Sequence, residues 1–259
     1  MGIVYITLPG PEQRAFANAL HKATGGGVDL VIITKPRSQK AGRLRRVLTA
    51  VRSGAFLQEI FYGVLLRMSR KTREVLAYLR ATSFSATSYD PPTLEVEDVN
   101  DAKTEARLKE LAPELIVLWT GAILRPNILA TAKKVINFHT GILPYYRGSV
   151  ANQFAVLRRD TKRIGSTIHF VVAGVDRGDI IAQAYGDTTK PPREMFCELN
   201  DASLNLYIDI ARKILAGEDV HRHAQDQKEG EFFALKDWTN RMRWKLGRQL
   251  VRWERTGKF

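Results

Sequence analysis

Four short apolar runs, at residues 3–8, 28–34, 115–119 and 135–139, constrain this chain more than any other feature. Each is short for a helix and is bounded by polar or turn-forming residues, so each reads as a buried strand. Between the first two lies a segment, 12–22, with helical spacing at Phe16, Ala19 and Leu20. Pro9-Gly10-Pro11 opens it and Gly25-Gly26-Gly27 ends it. Strand, helix and strand in that order make a βαβ unit, whose handed crossover requires a parallel sheet. After the turn Asp90-Pro91-Pro92, residues 94–99 alternate as a further short strand, Asn100 or Asp101 can cap a helix over 102–111, and a short helix follows over 127–132. The fold class is therefore α/β, an open, mostly parallel, Rossmann-like sheet. In such sheets ligands bind beyond the carboxyl ends of strands, where Thr120 and His139 fall. No G-x-G-x-x-G follows the first strand, which argues against an ordinary dinucleotide cofactor.

Residues 38–79 interrupt the alternation. Apolar positions at Val47, Val51, Phe56, Ile60, Leu65 and Leu66 predict one or two basic helices, an insertion at about 37–80 within a core of residues 1–185. A C-terminal extension, 186–259, carries a helix over 202–216 and a tail, 238–259, with Trp238, Met242, Leu246, Leu250 and Trp253 at helical spacing. The tail is expected to pack on its own domain, with a partner subunit, and hence a homodimer, as the alternative.

A chain of 259 residues with 44% hydrophobic content is long enough to bury a full core. Its single cysteine, Cys197, cannot form an internal disulfide, and its first residues lack the basic and apolar regions of a secretory signal. The most apolar stretch, 54–68, is interrupted by Gln58, Glu59 and Arg67 and is too short to span a bilayer. A cytoplasmic location is expected. The net charge of +13 is concentrated in two places: eleven Lys or Arg against Glu59 and Glu74 between 37 and 80, and eight against Asp237 and Glu254 between 236 and 258. Such patches attract the phosphates of a nucleotide, a nucleic acid or an anionic membrane, or remain plain solvated faces.

Two stretches carry chemistry: V-I-N-F-H-T-G-I-L-P-Y-Y-R-G at 135–148 and G-V-D-R-G-D-I-I at 174–181. In an extended strand, residues i and i+2 share a face, so Asn137 and His139 point the same way while Phe138 turns into the core. Asp176 sits in a Gly-bounded turn between the apolar runs 167–173 and 180–182, and a hairpin there can bring its carboxylate to the imidazole. Taken singly, a histidine at a strand end, an aspartate in V-D-R-G and an asparagine in a strand all have ordinary structural uses.

In this order and spacing, N-x-H, L-P-x-Y-R-G and V-D-x-G-D-I-I resemble the formyltransferases that use N10-formyltetrahydrofolate. The resemblance covers residues 94–185 and, loosely, the first two strands. It implies the formyltransferase fold and a catalytic set of Asn137, His139 and Asp176. It implies N10-formyltetrahydrofolate as formyl donor, with the folate held by Thr120, Gly121, Ala122, Ile123 and Leu124 after one strand and by Val172, Gly174 and Gly178 of the hairpin. The chemistry agrees. When an amine attacks a formyl carbon, negative charge grows on oxygen, and an amide N–H and a protonated His139 can stabilise it. The amine must also lose a proton, which His139 can carry, with Asp176 favouring its charged form or orienting a relaying water. No metal is required.

The resemblance leaves three acceptors to weigh. Methionyl-tRNA formyltransferases explain a basic surface but carry a large additional C-terminal domain, for which about 75 residues after the hairpin leave no room. Glycinamide ribonucleotide formyltransferases lack the long basic insertion. The sugar N-formyltransferases fit best, and the chain is similar to GDP-perosamine N-formyltransferases of O-antigen and lipopolysaccharide synthesis, acting on a nucleotide-linked 4-amino-4,6-dideoxysugar. Tyr145, Tyr146, Arg147 and Gly148 are then the acceptor contacts, and an arginine or lysine of 37–80 meets the pyrophosphate. Nucleic acid is not the expected partner. A different class stays open: a membrane- or nucleic-acid-binding module on the same fold, because 44–73 resembles an interfacial helix that contacts an anionic membrane peripherally.

Overall fold

The computed structural model describes residues 2–35, 54–226 and 228–259. The expected basic helix before residue 54, including Arg37, Lys40, Arg43, Arg45, Arg46 and Arg52, lies outside the described residues. β1 (Ile3–Thr7), α1 (Pro11–Ala23) and β2 (Val28–Thr34) form the βαβ unit that the opening apolar runs predict. The described part of the insertion is two helices, α2 (Phe56–Met68) and α3 (Arg70–Ala77). Then come β3 (Thr93–Val96), α4 (Ala102–Leu111), β4 (Leu115–Trp119), a single turn α5 (Pro126–Leu129) and β5 (Lys134–His139). The second half comprises β6 (Tyr146–Gly148), α6 (Ala151–Leu157), the hairpin β7 (Gly165–Phe170) and β8 (Ile180–Tyr185), α7 (Pro192–Leu215), β9 (Glu231–Phe233) and α8 (Asn240–Thr256).

Seven strands make one sheet in the order β3-β2-β1-β4-β5-β7-β8. The first five are parallel, and β7 and β8 are antiparallel. Strands covered on both faces must be apolar throughout, which is why β1 and β4 read as continuous apolar runs. Alternate residues serve two cores. Ile3, Tyr5, Val117, Ile136 and Phe138 meet Phe16 of α1 and Leu204 and Tyr207 of α7, while Val4, Ile6, Ile116 and Leu118 meet Leu108 and Ile128.

α7 begins ten residues before the expected start at 202. Asn200 and Asp201 favour caps and turns in an isolated reading. Here Asn200 Nδ2 donates to the Ala81 carbonyl at 2.8 Å, and Asp201 accepts the Ser83 N–H at 2.9 Å, so both tie the end of the insertion to the middle of the helix. α7 also places the buried Tyr207 hydroxyl between β4 and β5, at Leu118 and Ile136. That oxygen accepts the Leu118 N–H at 3.0 Å and lies 2.9 and 3.0 Å from the Leu118 and Ile136 carbonyls. The expected boundary at 185 thus falls just before the helix that covers one face of the sheet.

The two basic segments of the sequence pack together. Asn240 at the start of α8 donates its backbone N–H to Glu59 Oε2 at 2.9 Å and its amide to the Glu59 carbonyl at 3.0 Å. Glu254 near the end of α8 pairs with Lys71 and accepts the Tyr78 hydroxyl at 2.6 Å. Leu246, Leu250 and Trp253 bury the inner face of α8 against the same chain. Among the described residues no helix is long and apolar enough to cross a membrane.

Replacing Tyr207 by Phe leaves the Leu118 N–H without its partner in a dry interior. The expected loss of stability is about 1–3 kcal/mol, read as a lower urea midpoint at unchanged m-value. An unchanged midpoint would remove the hydroxyl from this role.

Candidate active site

β5 ends at His139, and its pleat puts Asn137 and His139 on one face. The antiparallel register sets Asn137 opposite His169 and His139 opposite Thr167 on β7. Directly opposed residues share a face, so β7 adds a second imidazole to the pair. Sequence reasoning did not single out His169. Its one signal there is an imidazole inside the otherwise apolar run 168–173, and its pairing with Asn137 depends on register.

Hydrogen bonding assigns the proton on His169. Its Nδ1 faces the Phe170 carbonyl at 2.7 Å, an acceptor only, so Nδ1 carries the hydrogen. Nε2 is then the acceptor for Asn137 Nδ2–H at 3.1 Å. This bond orients the Asn137 amide and leaves its second N–H to point elsewhere. His139 donates from Nε2 to the Tyr146 carbonyl at 2.8 Å, leaving Nδ1 with a lone pair. Gly141 makes room for that ring, since a Cβ there would lie 2.8 Å from His139 Nε2.

The loop between β7 and β8 folds back and delivers Asp176. Its Oδ2 accepts the Gly148 N–H at 2.8 Å and lies 3.6 Å from His139 Nδ1, and its Oδ1 lies 3.6 Å from His169 Nε2. Asp176 has φ 52°, in the left-handed region, which costs most residues roughly 1–2 kcal/mol and aspartate less. Gly148, at φ 93°, turns its N–H toward the carboxylate while passing close to the Phe233 carbonyl. The three sequence-selected residues Asn137, His139 and Asp176 therefore converge, with His169 between the first and the last.

Electrostatics follow from burial. Burial pushes the His139 pKa down; Asp176 and the Tyr146 carbonyl oppose this without overcoming it. Burial alone would raise the Asp176 carboxyl, but the positive charge that His139 takes up on protonation, together with His169 and the Gly148 N–H, outweighs it and holds the group well below the usual carboxylate range. The cluster is thus a neutral imidazole whose open Nδ1 faces an ionised carboxylate. A proton arriving at Nδ1 meets that carboxylate, so the arrangement suits His139 to accept a proton, against the cost of burial, with Asp176 balancing the charge.

The remaining selected residues separate into groups. Thr120 follows β4 and is tied to Thr34 by a 3.3 Å hydroxyl contact, while Ala122 N–H donates back to the Thr120 hydroxyl at 3.2 Å. Gly121 and Ile123 are exposed, and Leu124 is buried in the core. Ala122, Leu124 and Val171 share one apolar cluster, so the 120–124 segment and the start of the loop carrying Val172, Gly174 and Gly178 rest on the same core. Tyr145 lies under the Arg163 guanidinium, 3.9 Å from the ring centroid. Tyr146 departs from the expectation of an acceptor contact. Its ring is buried and stacked on Phe233, and its hydroxyl donates to Asp160 Oδ2 at 3.0 Å, so its contribution to the site is the carbonyl that holds His139. Gly148 likewise serves Asp176. Arg147, between them, is half-buried.

Residues 4–191 match the formyl transferase family. The methionyl-tRNA formyltransferase of Limosilactobacillus fermentum is 36% identical over 179 residues, which is 66% of this chain and 56% of that protein. The chain spans about half the length of the curated relatives it matches. Among solved structures, a sugar N-formyltransferase from a Shewanella species is similar with a TM-score of 0.58 at 15% identity, over 96% of this chain and 88% of the other. The N-formyltransferase from Helicobacter canadensis in complex with folinic acid and dTDP-3-aminofucose is similar at 0.53 and 12%, over 95% and 79%. At these identities the likeness is one of fold.

The His139 shift has a consequence for stability with a definite sign. An unfolded histidine titrates near 6.5 and the folded one below it, so the unfolded chain binds more protons in that interval and stability falls as pH drops through about 6.5. Asp176, held low, adds a second loss below about 3.9. Between pH 7 and 5 the melting temperature of the parent should therefore fall further than that of His139→Gln, which cannot titrate. Equal falls would mean that His139 is not held neutral by burial.

Proposed function

This chain belongs to the formyl transferase family, and on that premise we propose that it moves a formyl group from N10-formyltetrahydrofolate to the amine of a nucleotide-linked amino sugar. The observation that carries the reading is the convergence of Asn137, His139 and Asp176 at the end of β5. In this reading the second Asn137 N–H meets the charge growing on the formyl oxygen, held in aim by His169. His139 takes the amine proton at Nδ1, and Asp176 stabilises the cation that results.

The donor supplies the formyl group, and the residues beside the cluster suit it. Ile123 is 64% exposed and Val172 48% exposed, two large apolar side chains left in water on the segments that follow β4 and β7. Apolar walls beside backbone polar groups are what a flat, hydrogen-bonding ring needs.

For the acceptor, the fold likeness to the Shewanella sugar N-formyltransferase runs over 96% of the chain, and so takes in nearly all of the C-terminal region. The reading assigns Tyr145 and Arg147 to the sugar nucleotide. GDP-perosamine, the acceptor that the sequence resemblance implies, is the first of the series to assay. A second reading, methionyl-tRNA as acceptor, is favoured by the 36% identity to the L. fermentum protein. Among the seven arginines between 43 and 73, Arg70 pairs with Glu74 and Arg73 donates to the Leu66 carbonyl, so neither is a free pyrophosphate contact.

Purified protein assayed with formyl donor and each of GDP-, dTDP- and UDP-linked 4-amino sugars should form a formamido sugar with at least one, and methionyl-tRNA should remain unmodified. Formylation of the tRNA alone would replace the sugar reading by the second one. With the sugar identified, His139→Ala should lower kcat by about 100-fold or more with little change in donor affinity. Asp176→Asn keeps the shape and tolerates the same φ, so its expected loss of activity and altered pH profile isolate the charge. Parent-like kcat in both variants would refute the assigned mechanism.

A further inference from the structure

We propose that α2 and α8 together form a docking surface for an anionic lipid bilayer. α2 buries none of its residues. One side packs on α8 through Glu59 and Asn240. The opposite side carries Leu57, Ile60, Phe61, Val64 and Met68, all exposed and spaced as one helical stripe, with Leu57 at 77% and Met68 at 78% exposure. A soluble helix ordinarily turns such a stripe inward.

α8 supplies the complementary charge. Arg241, Lys245, Arg248, Arg252 and Arg255 are exposed and recur at helical spacing along one face. The one acid of the helix, Glu254, is engaged with Lys71 and Tyr78. Like charges at this spacing repel one another, and a negatively charged surface relieves that repulsion. In the sequence, residues 37–53 before α2 add six Lys or Arg and no acid.

An apolar stripe and a cationic stripe carried on two helices that pack on each other suit a surface with phosphates outside and acyl chains beneath. A second copy of the chain is a poorer occupant. A 13-residue helix is about 20 Å long, so its stripe offers on the order of 200 Å², against roughly 800 Å² per partner in a stable interface, and two copies would bring like charges together. A nucleic acid would use the cations and gain nothing from five apolar side chains.

The test is co-sedimentation of the full chain with vesicles, read without reference to turnover. Vesicles of phosphatidylcholine containing about one-third phosphatidylglycerol should retain the protein, and phosphatidylcholine alone should not. The triple variant Leu57→Gln, Phe61→Gln, Met68→Gln keeps the net charge and alters only exposed side chains, and should bind anionic vesicles at least about tenfold more weakly. Arg248→Gln with Arg252→Gln should weaken binding roughly fivefold per cation. Circular dichroism and melting temperature should match the parent in both. Absence of binding to anionic vesicles would overturn the proposal, as would full binding by the triple variant. So would a lipid-free dimer that the apolar substitutions dissociate, or tRNA binding that the arginine substitutions abolish while vesicle binding persists.

Discussion

A largely buried carboxylate must be met by donors or by groups that can take up positive charge, and Asp176 is such a group. Its partners come from three separate pieces of chain: the Gly148 N–H, His139 at the end of β5, and His169 on β7. The left-handed turns at Asp176 and Gly148, and the space left at Gly141, are all needed for those partners to arrive. Local geometry that is unfavourable in isolation persists because the buried charge is satisfied only when every segment is in position.

The sheet supports this arrangement by what it does at its carboxyl end. The paired register of β4 and β5 ends at Leu118 and Asn137, and near that end Tyr207 of α7 meets the Leu118 and Ile136 backbone groups of the two strands. Thr7, Thr34 and Thr120 similarly tie the ends of β1 and β2 to the segment after β4. An opening for ligands between parallel strands exposes polar backbone, and side chains from distant helices and strands satisfy it.

A second unit, α2, α3 and α8, stands on the same core with a different character. Its inner contacts are made by Leu246, Leu250, Trp253 and Val75, and its outer faces are cationic and apolar. Charge that a folded domain does not need for stability is free to serve association, and it acts on partners over about a Debye length, roughly 10 Å at ordinary salt.

The α/β class, β1, β2, α4 and β4 and the same-face pairing of Asn137 with His139 were legible in the sequence, because apolar runs and the period-two pleat are properties of neighbouring residues. The family motifs named Asp176 for the same reason, being contiguous. Register and long-range closure are not local. His169 becomes part of the site only because β7 pairs antiparallel to β5, and Tyr146 leaves the acceptor side because β9, some 85 residues later, pairs with β6 and Phe233 stacks on its ring. The early start of α7 was hidden by Asn200 and Asp201, whose turn-forming chemistry is outweighed by partners near Ala81 and Ser83. Sequence determined most of the strands and helices and singled out Asn137, His139 and Asp176; which side chains stand within reach of the carboxylate was decided by tertiary packing, since that depends on chain segments meeting and not on their order.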